Sequence, residues 1–268
     1  MQTSTQLSPW RRQPLAAKVP EITVIFWVIK VLTTGMGEAA SDALAGQNLI
    51  LAGTLGLAGF GLAMWLQFRT PRYVVVVYWF AVMMVAVFGT MGADGLHKGL
   101  GVPYTVSTAF YAVVLAAVFY LWYRSEGTLS IHSIVTRRRE VYYWLTVLVT
   151  FALGTAAGDL TATTLHLGFF SSGIIFAVAI ALPLLAWRCG LNPVVAFWIA
   201  YIITRPLGAS FADWFGKRHS LAGGLGYGDG TVAVILTGVI VVLVGSVARS
   251  QRDTQPDTQR PAEPVAQK

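Results

Sequence analysis

The sequence predicts an all-α, polytopic membrane protein: eight transmembrane helices in four parallel two-helix repeats with pseudo-fourfold symmetry. Three observations predict it. Hydrophobic residues make up 55 % of the 268 residues and charged residues only 12 %, about half the charged share of an average soluble domain, and mean hydropathy is +0.63. The apolar residues fall into eight runs, each close to the ~20 residues a helix needs to cross a bilayer. Finally, one pattern, Trp-(x)9-Gly-(x)4-Asp, occurs four times: Trp27/Gly37/Asp42, Trp79/Gly89/Asp94, Trp144/Gly154/Asp159 and Trp198/Gly208/Asp213.

The register of the four copies is strict. An aromatic residue precedes every Trp (Phe26, Tyr78, Tyr143, Phe197), although the chain holds only seven Asp and nine Trp. Self-similarity at fixed spacing marks a repeat architecture and takes precedence over residue-level arguments.

The elements follow in order. Residues 1–18 are polar, contain Pro9 and Pro14 and read as a cytoplasmic tail. Apolar runs then come in pairs, 20–41 with 47–67, 73–93 with 104–123, 141–160 with 169–187, and 193–212 with 229–248. They define repeats over about 19–70, 71–125, 137–189 and 190–248 within one transmembrane domain, 19–248; residues 249–268 have the composition of a disordered cytoplasmic tail. Arg11, Arg12 and Lys18 before an apolar run ending near Ala39-Ala40-Ser41 resemble a cleavable leader. That run contains the first repeat copy, so it reads as a retained span.

Basic residues set the expected orientation. With both termini cytoplasmic, fourteen Lys and Arg fall inside and three (Lys98, Lys217, Arg218) outside, a strong positive-inside bias. Two more, Lys30 and Arg205, lie within spans. Each repeat has two spans, so all four share one orientation, unlike inverted-repeat transporters. Three second helices end in Trp near Arg (Trp65 with Arg69, Trp122 with Arg124, Trp187 with Arg188) and read as interfacial anchors. The single Cys189 excludes an intrachain disulfide framework.

The motif points to its own chemistry. Gly37, Gly89, Gly154 and Gly208 sit among small residues, which favours close helix packing in lipid; the other reading is local unwinding that frees carbonyls for an ion. Asp42, Asp94, Asp159 and Asp213 sit one helical length beyond their Trp, about 22 Å along the axis. They either end helices at the outer interface or form an ion site, and ionisable groups at membrane depth favour function. Glu38 lies one turn before Asp42, where the other copies carry Thr90, Thr155 and Ala209. His97, His166 and His219 follow motif Asp residues at loose spacing and are either outer ligands for a divalent metal or water-facing loop residues. Lys30 and Arg205 break the symmetry, and each is expected to pair with an acid on a neighbouring helix. Thr161, Thr163 and Thr164 read as outer-loop residues, and Gly223–Gly230 as a flexible loop able to act as a lid.

With Trp27, Trp79, Trp144 and Trp198 in place, and Lys18-Val19-Pro20-Glu21 opening the first copy, the chain resembles a family of bacterial integral membrane proteins. That family has four tandem two-span repeats of unknown function, each with a characteristic Trp. The resemblance covers about residues 18–248 and implies a bacterial inner membrane location, but no chemistry.

The expected function is transport of a small cation, plausibly a divalent metal with proton coupling, at a metal site of Asp42, Asp94, Asp159, Asp213 and Glu38. Lys30 and Arg205 would act as coupling or ion-pair residues. The alternatives are a cation channel and a non-transporting scaffold or sensor. The expected partners are the lipid bilayer and the cation; homo-oligomers are compatible with the pattern and nucleic acid is not. No cofactor is expected, and no nucleophile–base pair suggests an enzyme.

Overall fold

A computed structural model describes residues 18–253. The expected terminal tails fall mainly on residues 1–17 and 254–268, outside the described residues. The helices are α1 (Val24–Ala45), α2 (Leu49–Arg69), α3 (Val75–Asp94), α4 (Tyr104–Glu126), α5 (Arg137–Asp159), α6 (Phe169–Ala179), α7 (Ala181–Arg188), α8 (Pro193–Gly216) and α9 (Asp229–Asp253). Helices α6 and α7 form a single span, so among the described residues eight segments are long and apolar enough to cross a membrane.

Local chemistry sets the helix ends. The side chains of Thr23, Asn48, Thr136 and Asn192 accept backbone N–H bonds at the starts of α1, α2, α5 and α8, satisfying amides that have no partner inside the helix. The break between α6 and α7 lies just before Pro183, whose ring removes a donor and crowds the preceding turn. Beyond Asp94 and Asp159 the backbone continues as π-helical turns, Gly95–Gly99 and Leu160–Thr164. Thr161, Thr163 and Thr164 therefore extend a helix instead of sitting in an open loop. Helix α9 runs to Asp253, past the boundary expected at 248.

The first helices of the four units form the inner ring. Helix α1 packs on α3, α3 on α5, α5 on α8, and α8 back on α1. Their most apolar windows are 56–61 % buried against 22 % for each second helix, so the second helices form an outer, lipid-facing layer. Each second helix leans mainly on the first helix of the following unit: α2 on α3, α4 on α5, α6 on α8, and α9 on α1. The last helix thereby completes the circuit at the first.

Symmetry extends to individual contacts. The aromatic residue before each Trp packs on the Trp of the next unit: Phe26 on Trp79 at 5.8 Å, Tyr78 on Trp144 at 5.6 Å, Tyr143 on Trp198 at 6.3 Å, and Phe197 on Trp27 at 5.6 Å between centroids, with interplanar angles of 50–54°. This collar closes the Trp end of the ring. Each motif glycine meets the next helix in the same cyclic order: Gly37 faces Ala86, Gly89 faces Phe151, Gly154 faces the Arg205 backbone, and Gly208 faces Thr34 and the Val31 carbonyl. A Cβ at Gly89 would stand 2.6 Å from the Phe151 Cβ, closer than carbon atoms pack. The helices run unbroken through all four glycines, so the glycines serve close packing and the unwinding alternative falls.

Of the three expected Trp anchors, two lie on the outer surface and one does not. Trp65 and Trp187 are half exposed, and Trp65 carries the Arg69 guanidinium 4.7 Å from its ring. Trp122 is fully buried, packed between Tyr142 and Trp198, because α4 turns that face inward to cover α5. Cys189 is an exposed thiol in the turn after α7.

Candidate functional site

One stripe on each inner helix faces the ring axis, repeating every four residues: Phe26, Lys30, Thr34, Glu38, Asp42 on α1; Tyr78, Val82, Ala86, Thr90, Asp94 on α3; Tyr143, Val147, Phe151, Thr155, Asp159 on α5; Phe197, Tyr201, Arg205, Ala209, Asp213 on α8. All but Phe197 and Asp42 are buried. A four-residue ridge runs oblique to its helix axis, so helices that present it to a common axis must cross. Stacking the stripes gives layers, and the layers differ in chemistry.

The Asp layer is joined by two lysines. Lys98 Nζ donates to Asp42 Oδ1 and Asp94 Oδ2, both at 2.8 Å. Lys217 Nζ contacts Asp42 Oδ2 and lies 3.8 Å from Asp213 Oδ1 and 3.3 Å from Asp229 Oδ2. Asp42 is therefore the hub, with a lysine on each carboxylate oxygen. The Tyr104 hydroxyl stands beside the Asp159 carboxylate. Lys217 lies just beyond α8; burial opposes its ammonium, but Asp213 and Asp42 outweigh burial and hold it above the ordinary lysine range.

One turn deeper, Glu38 Oε2 accepts hydrogen bonds from Thr155 (2.7 Å) and Thr90 (3.2 Å), and the two threonine hydroxyls lie 3.1 Å apart. The residues of two other copies at the Glu38 position thus close around it. Glu38, Asp42 and Asp213 each offer a carboxylate oxygen within 4.8 Å of the others. Such a set of hard oxygen donors suits a hard cation.

A cavity of about 650 Å³ opens above this cluster, with Asp42, Asp159, Lys98, Lys217 and Tyr104 in its wall. Residues Ser220–Gly223 form part of its rim. The glycine-rich segment expected to be a free lid is folded back on α8: Leu225, Gly226, Tyr227 and Gly228 donate backbone bonds to Trp214, Lys217, Phe215 and Gly216. At the Trp end lies a second cavity of about 540 Å³, lined by Glu21, Phe26, Ile29, Tyr73, Trp79 and Gln251 among others. Burial pushes the Tyr73 hydroxyl above the ordinary tyrosine range.

The histidines do not join the carboxylates. His97 Nδ1 lies 2.7 Å from the Val102 carbonyl, and its ring stacks on Tyr104 at 3.5 Å. His166 lines the cavity wall, and His219 is exposed. None of the three belongs to the carboxylate group that could hold an ion, although His166 shares the cavity wall with Asp42 and Asp159.

The expected acid partners of Lys30 and Arg205 are also absent: among the described residues neither forms an ion pair. Lys30 Nζ sits 3.1 Å above the Tyr201 ring. Arg205 lies over Phe151 at 3.2 Å and donates to Thr34 Oγ1 (3.1 Å) and the Tyr201 hydroxyl (3.0 Å). The acids of their neighbours occupy other layers. Sequence reasoning missed the roles of Lys98 and Lys217, which it only counted among the basic residues outside. The signal was present: each stands four residues after a motif Asp, the next step of the stripe.

Three tandem matches to the family described as Repeat of Unknown Function (DUF347) cover residues 77–128, 142–189 and 196–253. The chain belongs to the DUF347 repeat family. The matches fall on the second, third and fourth units of the ring, and the first unit joins them through the same glycine and Trp contacts. No curated protein and no solved structure matches the chain. The DUF347 repeat thus supplies architecture here, and the chemistry must be argued from the axial layers.

Proposed function

We propose that this DUF347 protein carries a small cation across the membrane, loading it from the Asp end of the ring. The observation that supports this most directly is the meeting of Glu38, Asp42 and Asp213, with oxygens within 4.8 Å, beside a cavity that reaches Asp42. A purely structural repeat has no need to gather three carboxylates, two of them buried, from two helices, where burial costs desolvation. The donor set favours a hard divalent ion over a soft one.

Lysine exchange is the central step of this reading. Lys98 and Lys217 already neutralise Asp42, so an arriving cation takes their place and the lysines swing toward the cavity. Crowded carboxylates share protons, and Glu38 is the group that would release or take one as the ion binds, which is the basis for proton coupling. With both termini inside, as the distribution of basic residues implies, the loading face is external and the host membrane a bacterial inner membrane.

The cation-channel alternative is weaker, because an ion moving along the axis would pass Lys30 and Arg205, both fully buried, without a carboxylate in those layers.

Flux of divalent metal and protons into liposomes, wild type against Asp42→Asn, Glu38→Gln and Asp213→Asn, tests the proposal. Flux is expected to fall at least tenfold in Asp42→Asn and to lose its proton component in Glu38→Gln. Flux equal to wild type in all three variants would overturn the carboxylate site, and wild-type flux no greater than that of protein-free liposomes would leave the scaffold reading.

A further inference from the structure

In the two layers below the carboxylates, the same axis holds two cations that the cation reading does not use. Lys30 (α1) is 1 % exposed and Arg205 (α8) is 0 % exposed. They occupy consecutive layers of the stripe, and both head groups lie within 4.9 Å of the Tyr201 ring centroid. What faces them from the four ring helices is Thr34 on α1, Val82 and Ala86 on α3, Val147 and Phe151 on α5, and Tyr201 on α8. None is acidic. The nearest stripe carboxylate, Glu38, is engaged by Thr90 and Thr155.

Their donors are incompletely used. Arg205 satisfies its two terminal nitrogens, but its Nε has no hydrogen-bond partner, and neither has Lys30 Nζ. The Tyr201 and Phe151 rings offer cation–π attraction, which is small beside the cost of holding two positive groups out of water without a counter-charge. A single negative charge between them would offset most of that cost.

We infer that Lys30 and Arg205 form a binding site for a compact monovalent inorganic anion of the halide class, in the middle of the ring. Two nitrogen donors come from the neighbouring helices α1 and α8, while the remaining walls are aliphatic or aromatic apart from the Thr34 and Tyr201 hydroxyls that Arg205 engages. A small, weakly hydrated anion matches that surround. A doubly charged or multi-oxygen anion would need more donors than the two layers supply. The site stands apart from the carboxylate cluster and does not rest on the transport reading; where both are occupied, cation and anion charges lie along one axis.

The test uses the purified full chain in detergent with N-methylglucamine as the only cation, comparing chloride with gluconate. Chloride is expected to raise the unfolding midpoint saturably in the wild type and in Arg188→Ala, an exposed arginine control, and to have no effect on Lys30→Met. Equal midpoints in chloride and gluconate for the wild type, or a Lys30→Met protein that responds like the wild type, would overturn the site. If Lys30→Met does not fold, bromide-soaked crystals of the wild type decide. An anomalous peak between Lys30 and Arg205 supports the site; peaks only elsewhere reject it. Loss of metal flux in Asp42→Asn with an intact chloride response would separate the two proposals.

Discussion

Gly208 of α8 abuts Thr34 of α1, with a Cβ at Gly208 placed 2.7 Å from the Thr34 Cβ and 2.8 Å from the Val31 carbonyl, so the last unit closes on the first as Gly37 closes on Ala86. Alanine at Gly208 is expected to destabilise the protein by about 1–3 kcal/mol, the usual cost of overpacking. Gly154→Ala should cost at least as much, because it meets the backbone of Arg205, which cannot rotate away. Gly53→Ala, with nothing within 4 Å, should be neutral or slightly stabilising. Thermal unfolding in detergent ranks the three.

The Trp collar should be unequal to the other tryptophans. Trp79 is 2 % exposed and contacts Phe26, so Trp79→Ala is expected to cost about 3–5 kcal/mol. Trp65 is half exposed, and Trp65→Ala should cost less than about 1 kcal/mol. The same unfolding measurement separates them.

Lys217 provides a pH test. Its carboxylate neighbours raise its folded-state pKa above the unfolded value, so its stabilisation is complete below the ordinary lysine pKa of about 10.4 and declines as pH rises through the folded value. Lys217→Met should therefore unfold a few degrees below wild type at pH 7–9, a deficit of roughly 1–3 kcal/mol. The deficit should shrink only in strongly alkaline buffer. A constant difference across that range would mean that lost packing, not the ion pairs, is responsible.

Closure of the ring through α9 on α1 predicts tolerance of circular permutation. Val19 and Gln251 line the same cavity, so a short linker can join the described ends. New termini in the turn between Arg69 and Val75 would then leave every helix with its neighbours. The permuted protein is expected to give a monodisperse peak and a melting temperature close to wild type. Aggregation of the permutant would show that the order of insertion matters more than the closed contacts.

Much of this was legible before any coordinates. The apolar runs predict eight spans and the motif interval four units, because lipid demands long apolar helices and every repeat must bury the same face. The aromatic residue before each Trp was visible, but its partner was not, since a packing partner one unit away leaves no periodic trace. The four-residue step linking Trp-adjacent, Lys30, Thr34, Glu38 and Asp42 positions was also present in the chain. Extending it would have found Lys98 and Lys217.

By itself, the sequence determined the all-α membrane class, the repeat register and the candidate carboxylates, because hydrophobic length and spacing are local properties of the chain. Only the tertiary structure decided which residues meet: that Asp42 receives both lysines, that His97 bonds to the Val102 carbonyl and stacks on Tyr104, and that Lys30 and Arg205 face aromatic rings instead of acids. The physical reason is that partner choice depends on the height at which neighbouring helices cross. That height is set by glycine contacts between units, which no single helix encodes.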